Sequence, residues 1–116
     1  MSVLDALRQS AAEDAKVLNQ LSTAGDLHEI ARDVAFSLYV RARAAAEEIC
    51  EFVQEGGFGR ATSGLTDNGM YRVIVTVRMT LHLQAVLGVS GFMLMLARTY
   101  SAEYDGWGCP IARATN

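Results

Sequence analysis

Histidine, cysteine and neighbouring carboxylates are the residues of this chain on which acid–base, nucleophilic or metal chemistry would draw, and the chain has few of them. His28 precedes the first expected strand and His82 opens a helix, far apart in the expected topology and without an evident carboxylate to orient either ring. Both therefore read as surface histidines rather than general acids or bases. Cys50 and Cys109 lack CxxC spacing and a nearby His pair, which supports neither a zinc site nor a thioredoxin-like motif. Two reduced thiols are expected. Glu103 and Asp105 fall on one face of an extended segment and are placed as an acid pair would be, although carboxylates answering nearby arginines are a simpler account. Gly88-Val-Ser-Gly91 sits mid-helix with no preceding strand and no Lys-Ser/Thr, so close helix packing explains it better than phosphate binding. No catalytic residue, metal or cofactor is expected.

The most specific stretch is Glu103 to Cys109, EYDGWGC. A glycine on each side of Trp107 removes neighbouring side chains, leaving the indole a tight pocket to enter or open space around it. If the stretch is extended, Glu103, Asp105 and Trp107 share one face, and Tyr104, Gly106 and Gly108 the other. Pro110 then ends the strand or marks an edge, since it has no ladder donor.

The elements that must hold this stretch follow from hydrophobic period. Leu4, Leu7, Ala11, Leu18 and Leu21 recur at spacings of three, four and seven, with Glu13, Asp14, Lys16 and Gln20 on other faces, which predicts an amphipathic helix over 1–24 with one stripe to bury. Gly25 is placed for a left-handed C-cap. Val34, Phe36, Leu38 and Val40 alternate with Ala35, Ser37, Tyr39 and Arg41, as a half-buried strand does. Ala42 to Glu55 is helical, with Ala45, Ala46, Ile49, Phe52 and Val53 inward, and Gly56-Gly57 closes it. A weak strand from Phe58 to Ser63, the turn residues Asp67-Asn68-Gly69 and a clear strand from Tyr71 to Met79 make a hairpin. Thr80 is placed to cap a helix from Leu81 to about Tyr100, and EYDGWGC is the last strand.

This order predicts an α+β fold, a ferredoxin-like β-α-β-β-α-β two-layer sandwich with an extra N-terminal helix. At 116 residues and a net charge of −3, the chain is one domain, 1–116, with its β-α-β-β-α-β core at 32–112. The mildly acidic balance argues against direct nucleic-acid binding. The stretch 81–97 is apolar but interrupted by His82, Gln84, Gly88, Ser90 and Gly91, and reads as a buried helix rather than a membrane span. That helix has Leu83, Val86, Leu87, Ser90, Leu94 and Ala97 inward, and Val89, Phe92, Met95 and Leu96 outward. The N-terminal helix, a homodimer through Phe92 and Met95, or another partner must cover the outer side.

The sheet face away from the helices is then exposed. An RNA-recognition module of the same topology would carry stacking aromatics on its third strand, where this face offers Arg72, Ile74, Thr76 and Arg78 instead. Tyr39 and Arg41, Arg72 and Arg78, and Trp107 with Glu103 and Asp105 are expected side by side, and Tyr, Trp and Arg dominate binding hot spots. For Trp107, burial against the N-terminal helix is the competing expectation.

EYDGWGC after a long apolar helix ending in LARTYS resembles the C-terminal end of the regulator of ribonuclease E activity B family. The likeness extends to Leu21 and Gly25-Asp26 before the first strand, Arg32 just ahead of it, Gly57-Phe58 after the first core helix, and the strand RVIVTVR. It implies a ferredoxin-like domain ending in YDGWG, in a cytoplasmic bacterial protein that binds ribonuclease E and damps RNA decay without catalysis. Glu103, Tyr104, Asp105 and Trp107, with Tyr39, Arg72 and Arg78 beside them, would then form or support the partner surface. A dimeric small-ligand-sensing domain is the alternative, and a dimeric ferredoxin-like enzyme is a third reading, disfavoured by the lack of a buried His or metal cluster.

Overall fold

Every second residue from Val34 to Val40 is apolar, and in the computed structural model, which describes residues 2–114, those side chains are no more than 2% exposed. They lie on β1 (Arg32–Val40), a central strand of a four-stranded antiparallel sheet. β1 pairs with β3 (Tyr71–Met79) along its whole length, from Arg32 opposite Met79 to Val40 opposite Tyr71. β2 (Arg60–Leu65) flanks β3, and β4 (Glu103–Gly108) flanks β1, giving the order β2-β3-β1-β4. The first and third strands are central, as the alternation predicts.

One face of the sheet carries the helices. α2 (Arg43–Glu55) lays Ala46, Ile49 and Val53 on β2 and β3; α3 (Leu83–Tyr100) lays Val86 and Met93 on β1 and β4. α1 (Val3–Thr23) packs against α3. Gly25 and Gly57, at φ of 93° and 70°, take the left-handed conformations that end α1 and α2.

Several expectations need correction. α3 begins at Leu83 with His82 as its N-cap, so Thr80 does not cap it. Leu83 is exposed and Leu96 buried, the reverse of the expected arrangement, because α3 is rotated to seat Met93 and Leu96 in the core. The N-terminal half of the α1 stripe is also largely wet, with Leu4 57% exposed. α1 does not cover Phe92 and Met95; it lies along Gly91, where a Cβ would stand 3.7 Å from Leu7. Gly88, by contrast, faces open space, so close helix packing accounts only for Gly91.

Candidate functional site

Strict alternation along EYDGWGC breaks at Gly106, whose φ of 86° is a left-handed conformation that glycine adopts at no steric cost. Phe36 of β1 stands opposite Trp107, and Leu38 opposite Tyr104, so Asp105 and Gly106 together oppose Ser37. This is a β-bulge, and it shifts the side-chain alternation by one residue. Trp107 therefore shares the helix-facing side with Tyr104 rather than the open side with Glu103 and Asp105, as expected from a regular strand. Its ring packs against Phe36 at 6.3 Å between centroids.

The indole Nε1–H donates to Asp14 Oδ1 of α1 at 2.9 Å. Asp14 is only 3% exposed, in the interior rather than on an outer face of α1. Its spacing explains why: Leu7, Ala11, Asp14, Leu18 and Leu21 step by four, three, four and three along the side of α1 that meets α3, which is buried at Asp14 and Leu18. A carboxylate on an apolar stripe was the signal that a buried donor would have to meet it. Asp14 Oδ2 is buried with no hydrogen-bond partner among the described residues, and burial raises the carboxyl's pKa against the pull of the Trp107 bond and of the nearby Ser90 hydroxyl. Nearby, the Tyr104 and Ser90 hydroxyls bond at 3.0 Å. Burial pushes the Tyr104 hydroxyl up to about 12, against the Ser90 bond and with the Asp14 charge adding to it. The YDGWG end of the sheet is thus the seat of α1, as the competing expectation for Trp107 anticipated. A cleft of about 400 Å³ separates α1 from this end, with Glu13, Asp14 and Asp105 among its lining residues.

The other expected site residues lie across the sheet from it. Tyr39 is paired on one side with Arg72 and on the other with Glu103, so these three form a row across β3, β1 and β4. Arg72 donates to Ser37 Oγ at 3.1 Å. Arg78 lies six residues along β3, about 20 Å from Arg72, and reaches Asp33 at 3.6 Å; Arg60 reaches the same carboxylate at 3.0 Å. These exposed ion pairs contribute only about 0–1 kcal/mol each, and both arginines remain largely solvated.

His28 departs from expectation, since it does have a carboxylate. Its Nδ1–H donates to Asp26 Oδ2 at 2.6 Å, and Ser22 Oγ meets its Nε2 at 2.9 Å. Atom for atom this resembles a Ser–His–Asp relay. The backbone N–H groups of Ala24, Gly25, Asp26 and Leu27 beside Ser22 are all bonded to carbonyls, so they offer no oxyanion hole to this arrangement. Asp26 instead anchors a clamp. It pairs with buried Arg32 and accepts the Ala112 N–H at 2.8 Å, while Arg32 also binds the Leu27, Ile30 and Pro110 carbonyls. Although burial opposes it, hydrogen bonding from Arg32, Ala112 and His28 holds the Asp26 carboxyl at about 2. Cys50 and Cys109 form no disulfide, and burial raises the pKa of both thiols.

A comparison with curated protein sequences finds no match. The family described as regulator of ribonuclease activity B matches residues 11–109. That span runs from the buried stripe of α1, through the whole sheet, to the residue after β4, and so includes both Asp14 and Trp107. By that match over most of its length, the chain belongs to the regulator of ribonuclease activity B family.

Proposed function

We propose that this protein is a non-catalytic regulator that binds ribonuclease E in the cytoplasm and restrains RNA decay. The observation that carries the reading is the family match over residues 11–109, because it covers the fold and the bulged YDGWG strand together. The succession β-α-β-β-α-β, with the sheet order β2-β3-β1-β4, supports assigning the core to the ferredoxin-like sandwiches.

The contact surface is the sheet face opposite the helices. Tyr39, Arg72 and Glu103 offer an aromatic ring between a cation and an anion in one row, and Arg78 with Asp33 lies at the far end of the same strands. Asp105 stands at the bulge, on the rim. Tyr104 and Trp107 support this surface from below by fixing β4 to α1 and α3. Calorimetric titration of ribonuclease E with the purified protein tests the reading. Saturable binding that Arg72→Glu weakens supports it, and no heat of binding at high micromolar concentration contradicts it.

A further inference from the structure

The helix layer carries a second surface, on the opposite side of the molecule from the one just described. α2 and α3 run antiparallel: Glu48 stands beside the Tyr100 hydroxyl and holds its pKa up at one end, and Phe52 faces Phe92 at 6.2 Å further along. Side chains close the seam between these helices. Phe52, Phe58 and Phe92 cluster there, with Phe58 and Phe92 4.5 Å apart, yet Phe52 and Phe58 remain 47% and 45% exposed. Met95, 52% exposed, extends the apolar strip along α3. Beneath Phe58 and Phe92 a hollow of about 220 Å³ reaches Val75 and Val77 of the sheet, walled by Gly88 and Val89. That volume accommodates one leucine, methionine or phenylalanine side chain. α1 cannot fill it, being engaged along Gly91 on another side of α3.

The charge on the α2 side of the seam selects the occupant. α2 exposes Glu47, Glu48, Glu51 and Glu55 with no lysine or arginine between Arg43 and Arg60, while α3 carries Arg98 in its last turn, at the Tyr100 end and away from Glu51 and Glu55. A two-fold copy of this surface would bring two such acidic rims together, and an anionic bilayer would meet the same repulsion. We propose that the seam docks an amphipathic helix of a partner protein, with one large apolar anchor in the hollow and lysine or arginine flanks against Glu51 and Glu55. The surface stands independently of the sheet-face reading, since it shares no residue with it.

The test uses the intact protein and a fluorescein-labelled helical peptide of about 18 residues, roughly 27 Å long, with leucines at i, i+3, i+4 and i+7 and lysines elsewhere. Saturable anisotropy is expected, and a control peptide without leucine should not reproduce it. Gly88→Leu adds an apolar side chain at the wall of the hollow, where a Cβ meets nothing within 4 Å. It should weaken binding about ten-fold or more, the loss expected of a buried anchor. The double substitution Glu51→Lys with Glu55→Lys, on exposed positions that leave folding intact, should also weaken it. Arg72→Glu should not. The proposal is overturned by absent binding, by equal binding of the leucine-free peptide, or by binding that both Gly88→Leu and the double substitution leave unchanged. It is also overturned if sedimentation shows self-association that Gly88→Leu abolishes, or if the protein prefers anionic vesicles to the peptide.

Discussion

Trp107 of the edge strand donates its indole N–H to Asp14 of the first helix, 93 positions away in the chain. Neither partner is easily replaced alone. Trp107→Ala should cost about 3–5 kcal/mol through lost packing, whereas Trp107→Phe keeps most of the ring volume and should cost about 1–3 kcal/mol by leaving a buried carboxylate without its donor. Combining Trp107→Phe with Asp14→Leu should recover most of that loss, because an apolar pair in an apolar stripe leaves nothing unsatisfied. Urea unfolding of the single and double variants measures this.

Asp14 also predicts an unusual pH dependence. Its folded pKa lies above the ordinary 3.8. The shift therefore contributes stability below about pH 4 that is lost as pH rises through the folded value. Asp14→Asn keeps an acceptor for Trp107 and removes this loss. The variant's stability relative to the natural protein should rise with pH above about 4 and level off once the pH has passed the folded value, as denaturation at a series of pH values will show.

Asp26 has the opposite sign. Its folded value of about 2 lies below 3.8, so its contribution is complete above about pH 4 and is lost as pH falls towards 2. Asp26→Asn should destabilise by about 3–5 kcal/mol at neutral pH, since Arg32 would be left buried without its counter-charge. Thermal melts should show the difference shrinking below pH 4.

The two glycines flanking Trp107 should respond differently to the same substitution. Gly106→Ala must hold a left-handed conformation and should cost about 1–2 kcal/mol. Gly108 has no positive φ and open space at its Cβ, so Gly108→Ala should stay within about 0.5 kcal/mol. Chemical denaturation of the two variants compares them directly.

These residues also mark where the sequence was legible. Val34, Phe36, Leu38 and Val40, the strand Tyr71–Met79 and, of the row expected inward on α2, Ala46, Ile49 and Val53 could be read because one buried face imposes a single period; Phe52, expected in that row, is 47% exposed at its edge. Gly25 and Gly56-Gly57 could be read because few other residues end helices that way. The bulge could not, since Gly106 is compatible with a regular strand until β1 is in place; it alone moves Trp107 to the helix side. Asp14 reads as an outer residue by type and an inner one by spacing, and only the indole N–H resolves the conflict. The Asp26–Arg32–His28 clamp depends on Pro110 and Ala112, contacts that no local pattern contains. α3 is apolar on several sides, so its inward side was fixed by packing rather than by pattern. Tyr39, Arg72 and Glu103 meet as strand alternation and order required.

The proposed restraint of ribonuclease E places its contacts on the open sheet face, at Tyr39, Arg72 and Arg78. Cleavage of a fluorescent RNA by that enzyme, titrated with the purified protein and with an Arg72→Glu/Arg78→Glu variant whose folding is verified by circular dichroism, tests it most directly. Saturable inhibition by the natural protein is expected, with a large loss of inhibition in the variant. Undiminished cleavage at saturating natural protein, or equal inhibition by the folded variant, would contradict it.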